Sequence, residues 1–233
     1  MRPYCASGKT SQLIGENSMR KILFFSLTLF SLLISSCSTG TPPPSTLQVV
    51  SVYSSSAAEP WLTELYDCAA TQSSVVLSRV DDSNAAEIIL QVGEPAVLSP
   101  FAYQIDSEEI LIVTQHQSPI QNLTLEDARA LFMGLADPSV HLWVYASDAD
   151  IQHAFDQLVM NGGSVASSAM VAANPQQMSD TLVNQPNTVG VLPKNWKVGD
   201  SRIVFTAGTV PVLALAKSEP IGTVKELIAC LQK

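Results

Sequence analysis

Residues 47–53 form an apolar, β-branched run that stops at Ser54-Ser55-Ser56. Residues 59–71 follow, with Trp61, Leu62, Leu65, Tyr66 and Ala69 at helical spacing. The unit reads as strand, serine turn, helix, and the alternation continues. Residues 74–80 and 87–92 are further strand candidates, while 102–106 and 109–114 flank a polar break and predict a hairpin or paired strands. Thr124 with Asp127 three residues on opens a helix reaching Met133, which Gly134 ends. Residues 141–145 predict a strand, and Ser147 or Asp148 caps a helix over 149–160. A helix over 175–183, strands over 188–192, 202–206 and 210–216, and a closing helix over 223–231 complete the pattern. Strands interleaved with helices of this length imply an α/β architecture with largely parallel sheets, and no internal repeat appears.

The N-terminal part carries an address. Met19-Arg20-Lys21 precedes an apolar run over 22–34 that ends in Ser35-Ser36-Cys37, the charge, length and small-residue pattern of an export signal. The run is shorter than the roughly 20 apolar residues a bilayer span takes. Ile34-Ser35-Ser36-Cys37 resembles the lipobox of bacterial lipoproteins, in which the cysteine is acylated and becomes the new N-terminus. On this reading 1–18 precede the true start, 19–36 are the signal peptide, and Cys37 holds the chain by membrane lipid at the extracytoplasmic face of the cell membrane. Residues 37–46, with Pro42-Pro43-Pro44, are an extended tether, and 47–233 form the folded part.

Without residues 1–36 the chain carries 8 Lys+Arg against 20 Asp+Glu. That balance repels phosphate backbones and excludes nucleic acid as a partner. Ser7-Gly8-Lys9-Thr10 looks like the tail of a phosphate-cradling loop, but Pro3 stands where its first glycine belongs. With Cys5 upstream and Cys37 lipidated, Cys68 and Cys230 remain, as a disulfide or as two buried thiols.

Residues 110–134, an apolar strand, a polar-Pro hinge and then Leu123-Thr124 running to Phe132-Met133-Gly134, resemble a signature of the phosphate-type solute-binding proteins of ABC transporters. Three further pieces stand in that family's order: 86–95 (AEIILQVGEP), 145–155 (YASDADIQHAF) and 186–193 (PNTVGVLP). The resemblance spans about 47–232. It implies the two-lobed type 2 periplasmic-binding-protein fold, with mixed sheets flanked by helices and a ligand cleft between lobes. Lobe one would comprise about 47–116 and 206–233, and lobe two about 117–205. Both Cys68 and Cys230 then fall in lobe one, which favours their disulfide.

In such a cleft, serine hydroxyls and helix N-termini supply donors. The resemblance places Ser54, Ser55, Ser56 and Glu94 on one side and Ser147 and Asp148 on the other as candidate ligand contacts. Asp148 stands where the family pattern has glycine, and no Lys or Arg occurs between Arg129 and Lys194. Asp148, Asp150 and Glu94 oppose simple phosphate. A neutral or cationic solute, or an oxyanion held weakly by backbone donors, fits the charges better. His116, His141 and His153 lack metal-ligand spacing, so neither metal nor cofactor is expected. Trp61, Trp143 and Trp196 read first as core or interlobe packing. No G-x-S-x-G elbow or zinc-binding helix pair appears, and Asp148 and Asp150, two residues apart, do not form an acid/base couple. The expectation is a lipid-anchored, monomeric, non-enzymatic solute-binding protein that passes a small polar ligand to an ABC permease. The alternative is a degenerate binding fold serving as a cell-surface adaptor or sensor subunit.

Overall fold

The computed structural model describes residues 47–232 except 96 and 98, so the signal segment, Cys37 and the tether lie outside the described residues. One eight-stranded sheet, in the order β2-β1-β3-β8-β4-β7-β5-β6, organises the chain. Its strands are β1 (Gln48–Ser54), β2 (Val75–Arg79), β3 (Ile88–Val92), β4 (Ala102–Thr114), β5 (His141–Tyr145), β6 (Met170–Ala172), β7 (Thr188–Pro193) and β8 (Arg202–Leu215). The helices are α1 (Glu59–Ala70), α2 (Leu125–Phe132), α3 (Asp150–Phe155), α4 (Pro175–Asn184) and α5 (Gly222–Leu231).

The two ends of the sheet follow the parallel expectation: β1 pairs in parallel with β2 and β3, and β5 with β6 and β7. Its centre does not. β4 and β8 run antiparallel to each other, β3 joins β8 antiparallel, and β7 joins β4 antiparallel. Each of these long strands was expected to be two short ones. β4 continues through the polar Asp106-Ser107-Glu108-Glu109 because β8 pairs opposite it from Ala102↔Leu215 to Thr114↔Arg202, absorbing the irregularity as register shifts. Ladder hydrogen bonds outweigh local polarity. The sheet thus has a β2-β1-β3 half and a β7-β5-β6 half, joined by two strands that run through both.

Local signals set several boundaries as expected. Thr124 and Asp127 form the complete capping box that starts α2. α4 starts at Pro175 as expected, and Asn174, which the sequence reading did not single out, caps it. α3 departs from expectation: its N-cap is Ala149, without a side-chain cap, and neither Ser147 nor Asp148 takes that place. α3 then widens into a π-helical turn over Asp156–Met160. The short β6 was not anticipated. Three residues carry too little periodicity to read.

Apolar residues on both faces of the sheet form one continuous core. Phe132 of α2 and Phe155 of α3 meet edge to face, with ring centroids 4.7 Å apart and both rings fully buried. Cys68 of α1 and Cys230 of α5 are disulfide-bonded, 162 residues apart in sequence and 6.1 Å apart at Cα. No helix of the described residues is long and apolar enough to cross a membrane.

Candidate functional site

The serine turn, the end of β3 and the start of α3 converge where the two halves of the sheet meet. Ser54 ends β1, and Ser55 caps a single 3₁₀ turn over Ser56–Ala58. The Ser55 N–H donates to Leu90 O of β3 (2.9 Å), and Ser55 Oγ accepts from Ala58 N–H (3.3 Å). From the other half of the sheet comes Asp150, the first residue of α3. Its Oδ2 accepts from Ser55 Oγ–H (2.5 Å) and from the Val92 N–H at the end of β3 (2.9 Å), and its Oδ1 accepts from the Ile151 N–H (2.8 Å). A carboxylate holding three donors from two sides is a strong, charge-assisted arrangement.

Gly93, which follows Val92, turns the chain with φ +82°, a left-handed conformation that favours glycine, while a Cβ there would meet Ala154 Cβ of α3 only at an ordinary 3.6 Å. Gly208 of β8 faces Leu158 in the π-helical turn, where a Cβ would come within 3.0 Å of Leu158 Cδ2. A third bridge joins the halves beside the site. Trp196, in the turn after β7, donates its indole N–H to Ala57 O (3.0 Å).

Two buried polar groups near the junction are incompletely paired. The hydroxyl of Tyr145, at the end of β5, has no partner among the described residues although the residue is 4% exposed; burial and the charge of Asp150 push its pKa well up. Glu108 of β4 is 2% exposed. Its Oε1 accepts from the Glu109 N–H (3.1 Å) and the Asn195 N–H (3.4 Å), while Oε2 has no partner among the described residues. Burial pushes the Glu108 carboxyl up, and these backbone amides hold it down only in part.

A buried acid with a raised pKa binds its proton more tightly folded than unfolded, so stability falls as pH rises through the window between the two values. Replacing Glu108→Gln removes a buried, half-paired charge. It is expected to stabilise the protein at pH 7 by about 1 kcal/mol. The gain should shrink as pH falls into the ordinary carboxylate range, and urea midpoints of both proteins between pH 4 and 8 measure it. A gap that stays constant with pH would remove the charge from the explanation.

Of the sequence-predicted contacts, only Ser55 takes part in the junction through its side chain. Ser54 is buried, with its hydroxyl turned to Ser55 O (3.0 Å), and Ser56 is exposed. Glu94 is exposed beyond Gly93. Ser147 and Asp148 are exposed on the turn before α3 and make no side-chain hydrogen bond among the described residues. Asp150, read from the sequence as a charge opposing phosphate and as no acid/base partner for Asp148, is the residue that reaches across. Val92 contributes a backbone group, and Tyr145 stood in the sequence only as a strand end and the first residue of the 145–155 piece. The largest of the described cavities, about 540 Å³, lies elsewhere, between the 118–123 loop, α2 and Asn187. Among the described residues no His, Cys, Asp and Glu cluster is placed to hold a metal.

No protein-family model matches the chain, and no curated protein matches it in sequence. Solved structures do match in fold. A protein from Clostridium perfringens, assigned as a phosphate ABC transporter substrate-binding protein and solved with bound phosphate, superposes with TM-score 0.68 at 14% identity, covering 79% of this chain and 93% of its own. An ABC-type phosphate transport receptor from Vibrio cholerae gives TM-score 0.59 at 18% identity over 79% and 93%. The regulatory domain of CcmR from Synechocystis, in complex with 2-PG, gives 0.61 at 9% over 79% and 95%. The fold is the type 2 periplasmic-binding fold, and it is shared by transport receptors and regulatory domains alike.

Proposed function

We propose that this chain is a lipid-anchored extracytoplasmic solute-binding protein that takes a small polar solute where Ser55, Val92 and Asp150 meet and delivers it to an ABC permease. The observation that carries the reading is the convergence itself. Hydrogen-bonding groups from both halves of the sheet point at one place, in a fold whose neighbours include a protein solved with bound phosphate and a phosphate transport receptor. The anchor rests on the signal and the Ile34-Ser35-Ser36-Cys37 motif. Hinge closure would be favoured by contacts a solute makes to both halves at once. Phosphate itself fits poorly. Asp150 already takes the donors an oxyanion needs, and no cation lies between Arg129 and Lys194 to offset it. A neutral or cationic polar solute suits the site better.

A thermal-shift screen of oxyanions, amino acids, sugars and polyamines tests the reading. A true solute at a hundredfold excess over its Kd stabilises by about 2.7 kcal/mol, or roughly 5–11 °C in Tm for a chain of this size. Cys37→Ser should release the protein from the membrane fraction, and a protein that stays there after the substitution is held by something else. The same Asp150 contacts favour a second reading, a surface adaptor or sensor subunit without a transport ligand; absence of stabilisation across the whole panel supports it.

A further inference from the structure

Asp150 does at the junction what a bound anion would do. Its Oδ2 accepts hydrogen bonds from the Ser55 hydroxyl and the Val92 N–H, both on the far side of the junction from its own helix. Its Oδ1 is held by the next amide, Ile151 N–H, so the carboxylate is oriented before it crosses. Beside it, Tyr145 donates its backbone N–H to Gln152 of the same helix, and its buried hydroxyl has no partner among the described residues, an unfilled hydrogen bond next to the element that presents Asp150. We infer that Asp150 is the specificity-determining residue of this site: a tethered carboxylate that fills the position between Ser55 and Val92, holds the two halves together without solute, and excludes free anions.

This rests on the proposed solute site only for its consequence. The contact itself stands independently. A group tethered to its partners competes at millimolar effective concentration or above, and a site open for only a fraction of the time binds more weakly by that fraction. Free anions must therefore outcompete a tethered neighbour that is always within reach. A solute that does enter has to supply an acceptor for the Ser55 O–H and the Val92 N–H. It must also offer Asp150 a donor in exchange, so the admitted class carries both kinds of group, as a zwitterion or polyhydroxylated molecule does.

Amide hydrogen exchange and anion titration of the full exported domain test this. In Asp150→Ala the Val92 amide should exchange at least about tenfold faster than in wild type, the change expected when a populated closed state is lost. Amides of Val50 and Val52 in β1 serve as the control for folding. Asp150→Asn, which keeps the shape and one acceptor, should fall between. Titrated with formate and with inorganic phosphate, Asp150→Ala should bind at least about tenfold tighter than wild type. Unchanged Val92 exchange in a folded Asp150→Ala would overturn the inference. So would wild type binding either anion as tightly as the variant. If Val92 opens in the variant while no solute of the screen stabilises wild type, the latch stands and the transport reading falls.

Discussion

Reducing the Cys68–Cys230 disulfide, or replacing both cysteines by alanine, lowers the unfolding free energy by about 2–5 kcal/mol, a fall of several degrees to roughly 20 °C in Tm. The bond ties α1 to α5, the first and last α-helices of the described residues, across 162 residues of sequence. A cross-link of that span removes much of the freedom of the unfolded chain, and in the folded state the two helices already lie against each other beside the sheet. Cys68 is itself buried, so Cys68→Ala alone also leaves a small void and an unpaired thiol. Melting curves with and without reductant, beside those of the double alanine variant, measure the effect. Coincident curves under all three conditions would show that the cross-link contributes nothing to stability.

Phe155→Ala is expected to cost about 3–5 kcal/mol, as truncation of a fully buried aromatic does. Its ring packs edge to face on Phe132, and no solvent reaches either one. The substitution therefore empties the space between α2 and α3. It also loosens the helix that presents Asp150, so the Val92 amide should lose protection in step with the fall in stability. Urea unfolding gives the free energy, and a cost under about 1 kcal/mol would mean that the neighbouring side chains collapse into the void.

Much of the architecture was legible because it is periodic. The β1–serine turn–α1 unit, the Thr124/Asp127 box that begins α2, and the apolar runs of β5 and β7 each announce themselves locally. The paired cysteines could be read as a disulfide once both fell in one lobe. What escaped was decided by partners distant in sequence. Asp106-Ser107-Glu108-Glu109 looks like a turn, and only the β8 ladder keeps it in a strand. The stretch Ser147-Asp148-Ala149-Asp150 offers three side chains that can cap a helix, yet α3 starts with Ala149 at its N-cap and no side-chain cap at all. Asp150 accepts a hydrogen bond from Ser55 instead, 95 residues earlier, a partner no local pattern reveals. Val92 was invisible in kind, since a backbone N–H carries no residue signature. Tyr145 and Glu108 read as strand residues because nothing in a sequence marks a polar group that will be buried without a full set of partners.

An amide NMR titration with a solute that stabilises the protein locates the binding site residue by residue. Shifts and gained protection should gather at residues 54–58, 91–93 and 145–152, the three segments that bring Ser55, Val92 and Asp150 together. Changes confined to the cavity lined by Ile120, Leu131, Val140 and Asn187 would place solute binding there and rule out the Ser55–Val92–Asp150 junction.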